Sequence, residues 1–400
     1  MQYETLSKIY YKKPQIYDQL YLSRFNNEAT KKLNFNINGN QAFIFYCYEI
    51  VQLISKIYRG DKQIRDILTH GQAVPGVALD QFVQSCLVEE IQITNEIEGV
   101  HSSHKDIVDI MEKTASSKVQ QRLQGIVQKY NLLRNKNHNI YLQKCQDVRK
   151  LYDELVGEEV IASDPKDAPN GMIFRGDSVS VYSVTGKEIH RGVYPESAII
   201  TSMEEALRLL NNAEVEPLVA MSIFHYMFGY IHPFYNGNGR MARFISSYLL
   251  AGNLDELTAF GFAVVIKKRL KDYYDVFALT DSPFNKGDVT PFVITMLEFV
   301  LEDVEKLAMS LNDKKDKLQF YAAKLKSKNL PEKQYKLLYV LVQNKLFGTL
   351  ELGVNELCKI LSMSSGSVRK LLAAGGELIL AKSSEQNGRK LVYEVVLEKL

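Results

Sequence analysis

One stretch of the 400-residue chain gathers residue types that could do chemistry together: His232-Pro233-Phe234-Tyr235-Asn236-Gly237-Asn238-Gly239-Arg240-Met241-Ala242-Arg243. An apolar run from Val219 to Phe228 leads to the histidine. Gly237 and Gly239 flank Asn238, and Arg240 and Arg243 follow three residues apart. Glycines let backbone N–H groups approach a ligand closely, and such groups at a helix N-terminus bind phosphate. Arg240 and Arg243 would share one face of a first helical turn, adding charge-assisted and bidentate contacts to phosphate oxygens. A neutral histidine beside a polyphosphate site is a natural general base.

The pattern predicts the elements that must hold these groups. A helix should end near His232, and a second should start at the glycines. Earlier, from about 41 to about 159, apolar residues recur at helical spacing, as in Phe43, Tyr46, Cys47, Ile50, Ile54 and Ile57. Val83, Leu87, Ile91 and Ile97 mark a further helix that should stop at Glu98-Gly99. Another should begin after Ser103, with Asp106 closing a capping box. From Phe174 to Val193 the period changes to alternation around Thr185-Gly186-Lys187, which predicts a β-hairpin. Helices should resume near Met203 and run to about Leu307. His225, two turns before His232, reads as a packed histidine, and His190 as part of the hairpin surface.

The lysine-rich stretch 312–330 reads as a solvated helix or linker. Beyond Pro331 the order is helix, helix (Val354 to Leu361), helix (Val368 to Ala373) capped by Ser364, strand, turn at Gln386-Asn387-Gly388, strand. That is the order of a winged helix-turn-helix. The fold class is therefore mostly α. The expected domains are an N-terminal helical region over 1–159, a core with the hairpin over 160–311, a linker over 312–330 and a winged helix over 331–400.

Composition narrows the function. Lysine and arginine number 49 against 47 aspartate and glutamate, a net charge of +2, so any nucleic-acid role must be local. From Pro331 to Leu400 there are 10 lysines and arginines against 7 glutamates, a net +3. The expected recognition helix offers Arg369 and Lys370, which is thin for a DNA reader. Cys47, Cys86, Cys145 and Cys358 form no CxxC pair, so buried reduced thiols in a cytoplasmic protein are expected. The first residues lack an apolar signal region, and the most apolar early stretch is broken by Glu49, Gln52 and Lys56. No membrane association is expected.

The His232–Arg243 segment resembles the signature of the Fic family, within the Fic/Doc superfamily: His-Pro-Phe-x-[Asp/Glu]-Gly-Asn-Gly-Arg-x-x-Arg. Eight of the nine specified positions match. The resemblance implies an all-helical domain that transfers AMP from ATP to a hydroxyl side chain of a target protein. It assigns deprotonation of that hydroxyl to His232. Phosphate contacts fall to Asn238 and the backbone of Gly237, Asn238, Gly239 and Arg240. Arg240 would hold the outer phosphates, Arg243 the γ-phosphate, and Phe234 would fix the loop. The departure is Asn236, where the family usually has a carboxylate for Mg²⁺; a neutral amide oxygen is a weaker ligand for a hard cation.

Three further features extend the resemblance over about residues 40–305. Thr94-Asn95-Glu96-Ile97-Glu98-Gly99 is similar to the family's inhibitory pattern, with Thr94 and Glu98 on one helix face and Gly99 after them. The hairpin stands where the family keeps a flap that docks the target. Tyr274 and Asn285 lie where family members hold adenine. The implied reading is AMPylation restrained by Glu98, using Mg²⁺ with ATP as substrate. The partners would be a target protein on the flap, a second copy of the chain, or DNA at the winged helix. The rival readings are removal of AMP by the same site and a nucleotide-sensing transcriptional regulator.

Overall fold

The computed structural model describes residues 3–69, 76–111, 117–134, 140–182, 188–348, 351–383 and 391–400. The chain is mostly helical. Among the described residues the strands form three two-stranded sheets. The chain divides into two compact units: Met1–Asp61 with Glu89–Glu305, and Lys62–Val88 with Lys306–Leu400.

The first unit is built on one helix, Pro217–Ile231. Every residue from Leu218 to Phe228 is buried, and an apolar surface all round the axis means a helix enclosed by others. Pro217 opens it, and the Glu216 carboxylate accepts a hydrogen bond from the Val219 N–H at 2.8 Å. It packs against the helices Glu196–Leu210 and Asn238–Asn253. His225 sits inside this packing. Its Nδ1 meets Ser246 Oγ at 2.8 Å and its Nε2 meets Tyr273 Oη at 2.7 Å. Ser246 donates its own hydroxyl to Ala242 O, so Nδ1 is the donor and Nε2 accepts from Tyr273. Burial and the nearby Arg243 push this histidine down to about 3. It is a neutral tie between three helices.

Three expectations need correction. The apolar run after Gln41 is not helical from its start. Thr30–Ile37 and Asn40–Phe45 form an antiparallel hairpin, and the helix Tyr48–Thr69 begins after it. Asn38 and Gly39 both take positive φ, 48° and 81°, which is the Asn-Gly turn geometry that favours a tight hairpin. In the second hairpin the strands are only Ser180–Tyr182 and Glu188–Arg191, paired antiparallel with Ser180 opposite Arg191. Phe174 to Val179 precede the first strand, and the expected Thr185–Lys187 turn lies outside the described residues. The helix Glu196–Leu210 also starts before Met203.

The Ser103–Asp106 capping box is present. The Ser103 N–H donates to Asp106 Oδ2 at 3.2 Å, and the Asp106 N–H donates back to Ser103 Oγ at 3.1 Å. Gly99 has φ 72° just past the helix Gly76–Ile97. Cys145 is buried, whereas Cys47, Cys86 and Cys358 are half-exposed; none of the four forms a disulfide among the described residues. Among the described residues no helix is long and apolar enough to cross a membrane.

In the second unit the helices Glu332–Phe347, Val354–Leu361 and Ser365–Ala374 precede the antiparallel strands Ile379–Ser383 and Leu391–Val395. Leu337, Leu341, Leu357, Val368 and Val395 form its buried side. Ser364 Oγ caps the third helix by accepting from the Ser367 N–H. The stretch 312–327 is helical, as the end of Thr290–Ser327. The Gln386–Gly388 turn lies outside the described residues.

Candidate active site

The site begins where the buried helix stops. His232 takes a left-handed conformation, φ 51° and ψ 62°, which costs a residue with a Cβ about 1–2 kcal/mol. Three features hold it there. Its N–H donates to Phe228 O at 3.0 Å, Pro233 blocks another helical turn, and the His232 carbonyl accepts from Arg175 Nε at 2.8 Å. His232 is half-exposed. Burial, then the charges of His190 and Arg175, press its pKa down to about 4. The ring is neutral at pH 7 and able to take a proton.

Phe234 locks the loop from beneath. It is fully buried, stacked on Tyr152 at 3.7 Å between centroids and edge-on to Phe174 at 5.5 Å. Asn238 closes the loop from above. Its Oδ1 accepts from the Phe234 N–H at 3.0 Å and its Nδ2 donates to Phe234 O at 2.8 Å. This corrects the expectation for Asn238, whose amide is committed to the loop and can offer a phosphate only its backbone N–H. Gly237 has φ 79°, and a Cβ there would come within 3.0 Å of Val156. Gly237 therefore needs to be glycine on two counts. The helix Asn238–Asn253 starts at this point, with its first N–H groups facing the loop.

Both arginines of the motif are buried and paired. Arg243 is 1% exposed. Its Nε donates to Thr94 Oγ1 at 2.8 Å, and its Nη2 donates to Thr94 O and to Glu98 Oε1, each at 3.0 Å. Burial opposes the Arg243 charge, but Glu98, Tyr273 and Tyr130 together outweigh it, so its pKa is raised. The Glu98 carboxylate also lies over Gly239, so a Cβ at Gly239 would collide with Glu98 Oε1. An anion of the chain itself thus occupies the helix N-terminus. Gly99 follows as the left-handed residue that turns the chain away.

Arg240, also 1% exposed, donates from Nη1 to Glu159 Oε2 at 2.5 Å. Its Nε has no hydrogen-bond partner. Glu159 sits in the helix Glu158–Ser163 and accepts from Ser163 Oγ at 3.0 Å. The expectation had Arg240 free for outer phosphates; here it is turned into the core.

Asn236 is exposed at the rim. Its Oδ1 accepts from the Gly237 N–H at 2.7 Å and its Nδ2 donates to Asp167 Oδ2 at 3.2 Å. Sequence reasoning missed Asp167, which is 69 residues distant and brings a carboxylate to the position where the motif has lost one. Among the described residues no group of three or more histidines, cysteines or acids could hold a metal ion. A cation that takes most of its ligands from phosphates and water needs only one or two protein oxygens; here Asn236 turns its Nδ2, not its oxygen, towards the Asp167 carboxylate, and its Oδ1 accepts from the Gly237 N–H.

Tyr274 is 48% exposed. Burial of part of the side chain raises its phenol, and the charge of Glu98 raises it further. Tyr273 is buried and committed to His225. Asn285 is fully buried and donates from Nδ2 to Asp288 O at 2.6 Å. The adjoining Phe284 is covered by Tyr10, stacked at 4.1 Å. As placed, the Asn285 amide is buried, with Nδ2 committed to Asp288 O and Oδ1 without a partner among the described residues.

A neutral base at the end of one helix, a tight glycine turn and two arginines at the start of the next are now assembled. Residues 141–250 match the model of the Fic/DOC family. This family transfers nucleotide monophosphates to proteins, and its members are generally enzymes. The Fic/DOC match contains the base, the turn and both arginines, and it excludes Thr94–Gly99, Tyr274 and Asn285. Among solved structures, the chain is similar to a Fic family protein from Desulfovibrio desulfuricans. The two are 21% identical, with 88% of this chain and 96% of that one covered, at a TM-score of 0.52. It is also similar to Fic-1 from C. elegans, at 19% identity, 66% and 74% coverage and a TM-score of 0.45. A Fic domain containing signaling protein from Bacteroides thetaiotaomicron gives 16% identity, 66% and 97% coverage and a TM-score of 0.43. The first of these likenesses shows the Fic fold.

Proposed function

We propose that this protein transfers AMP from ATP to a hydroxyl side chain of a target protein, and that Glu98 restrains the reaction. The carrying observation is a neutral His232 beside a helix N-terminus whose anion site and arginine are already filled by Glu98.

In the reaction the target oxygen attacks the α-phosphorus and gives its proton to the His232 imidazole. A phosphoester bond forms, the bond to the β-phosphate oxygen breaks, and pyrophosphate leaves. The backbone N–H groups of Gly237–Arg240 and the Arg243 guanidinium stabilise phosphate charge, which is the largest task in phosphoryl chemistry. Arg240 would have to leave Glu159 to join them. Tyr274 offers its exposed face to the adenine. Asp167 and Asn236 would hold Mg²⁺, which supplies charge neutralisation on the phosphates. The target would dock on the short hairpin as an added strand. With Glu98 on Arg243, the γ-phosphate position is closed and ATP is held with its α-phosphate out of line. A cytoplasmic setting fits the free thiols.

The test is incorporation of label from ATP labelled at the α-phosphate, with Mg²⁺ and a protein lysate. Wild type, Glu98→Gly and Glu98→Gly/His232→Ala are compared. Activity that rises in the single variant and vanishes in the double supports the reading, since removal of a general base costs about 10²–10⁴-fold. Incorporation that survives in the double variant rejects His232 as the base. Release of AMP from a premodified target by wild type would favour the reverse reaction at the same site.

One observation favours a second role. The helix–helix–helix–strand–strand order of the C-terminal unit is that of a winged helix, and Ser365, Ser367, Arg369 and Lys370 are exposed on its third helix. We assign it to protein contacts, including those with a second copy, because two basic groups are few for DNA. A salt-sensitive gel shift by the full chain would reverse that order and support a nucleotide-sensing regulator.

A further inference from the structure

His190 was expected to be hairpin surface, yet it is half-buried and both of its ring nitrogens are engaged. Nε2 lies 2.7 Å from Tyr230 O, and Nδ1 lies 3.3 Å from Asp281 Oδ2. A peptide carbonyl can only accept a hydrogen bond, and so can an ionised carboxylate. Nε2 must donate to Tyr230 O, and a neutral ring would then turn an unprotonated Nδ1 towards the carboxylate at ion-pair distance. The other Asp281 oxygen, Oδ1, accepts from Tyr226 Oη at 2.6 Å.

We propose that His190 is a positioning residue for His232: fixed as an imidazolium between Tyr230 O and Asp281, it acts with Arg175 to surround the base with positive charge and keep it neutral. Arg175 is fully buried, with its guanidinium on carbonyls alone: His232 O at 2.8 Å, Asp177 O at 2.6 Å and Val193 O at 2.7 Å. The hairpin reaches the base closely. A Cβ on Gly192 would lie 3.0 Å from His232 Cβ, and the Val193 N–H donates to Ile231 O at 3.1 Å.

The charged and titratable groups around His190 come from every side. Tyr226, Tyr230 and His232 come from the buried helix and its end, Asp281 from the residue after the helix Leu270–Thr280, and Arg175 from the preceding loop. Glu188 and Arg191, on its own strand, pair with each other at 3.2 Å. Burial works against charge on His190, and the hydrogen bond and charge of Asp281 overcome it, so its pKa is raised. The same charge contributes to the fall at His232. The consequence is a sign opposite to that of a surface histidine: loss of His190 should make His232 easier to protonate.

The inference rests on the AMP-transfer reading only for its catalytic meaning, and its test needs neither nucleotide nor target. In ¹⁵N-labelled full-length protein at pH 7, the ring nitrogens of His190 should both show imidazolium shifts, assigned by their loss in His190→Asn. A single protonated nitrogen at that pH overturns the proposal. His232, assigned by His232→Ala, should titrate about 0.5–1 pH unit higher in folded His190→Asn than in wild type. An unmoved midpoint overturns it as well. In the Glu98→Gly background, the acid limb of kcat/KM should move up by the same amount on adding His190→Asn. A uniform loss at all pH values would mark a merely structural residue and reject the proposal. If no transfer is found at all, the AMP-transfer reading fails while the two magnetic-resonance results still decide the state of His190.

Discussion

Arg240 and Arg243 lie three residues apart on one helix, and each is bound to one carboxylate, but the two pairs are built for different lives. Glu159 reaches Arg240 from within a helix, with a second bond from Ser163 and a side chain 10% exposed. Glu98 reaches Arg243 from just beyond a helix end, with a side chain 21% exposed, and its neighbour is the left-handed Gly99. The first pair is enclosed by the core. The second sits at a helix terminus, where the cost of local opening is lowest, and it covers the N–H groups that would receive phosphate. On the proposed function, the same ion-pair chemistry would give a structural tie in one place and a removable plug in the other. What differs is the anchoring of the acid.

The largest effect expected is for Arg240→Ala. It leaves Glu159 as a buried charge without its partner, and breaking such a pair costs about 3–5 kcal/mol. Denaturant unfolding should show that loss, and nucleotide binding should fall with it. Arg243→Ala should be milder in stability because Glu98 can turn to water. Equal losses in the two variants would break the comparison.

Next comes Glu98→Gly. Every ~1.4 kcal/mol of differential stability in the plugged state suppresses turnover about tenfold, and a partly buried arginine–carboxylate pair can supply one to two such factors. AMP incorporation should rise about 10–100-fold in initial-rate measurements with the fold unchanged. No rise means that Thr94–Gly99 is an ordinary helix end. Glu159→Gln, the matching change in the other pair, keeps a hydrogen-bonding group of the same size. It should raise transfer by less than about threefold while lowering stability by about 1–3 kcal/mol. Activation as large as that of Glu98→Gly would make Glu159 a second plug and Arg240 a gated residue.

The half of this comparison that was readable in the sequence is the local half. His232, Gly237, Gly239 and the arginines lie within twelve residues, and Thr94 and Glu98 stand four apart, so helix geometry alone places them. Glu159, Asp167, Arg175 and Asp281 were invisible because each meets the site across a long stretch of chain and belongs to no spacing pattern. The backbone bonds of Asn238 and Asn285 were hidden for a different reason. An amide both donates and accepts, so it serves a backbone turn as readily as a ligand, and only the backbone groups placed around it decide. The hairpin around Asn38-Gly39 did carry its turn signal, which the helical spacing of the apolar residues after it obscured.

The smallest effect is expected at Thr94, and it refines the account of the plug. Thr94 gives Arg243 two oxygens, the hydroxyl at 2.8 Å from Nε and the carbonyl at 3.0 Å from Nη2. Thr94→Val keeps the shape and the carbonyl but deletes the hydroxyl, so a buried guanidinium N–H loses its acceptor. Hydrogen bonds to charged groups are worth about 1.5–3 kcal/mol, and this loss should appear in unfolding. It leaves Glu98 on Arg243 and over Gly239, so the anion site stays filled. Transfer should therefore rise only about two- to threefold, through looser seating of the helix. Initial rates in Thr94→Val, Glu98→Gly and the double variant separate the two contributions. A double variant equal to Glu98→Gly places Thr94 upstream of the plug, as a seat for Glu98. A Thr94→Val rate that matches Glu98→Gly would mean instead that the hydroxyl, by fixing the direction of the guanidinium, is what the plug depends on.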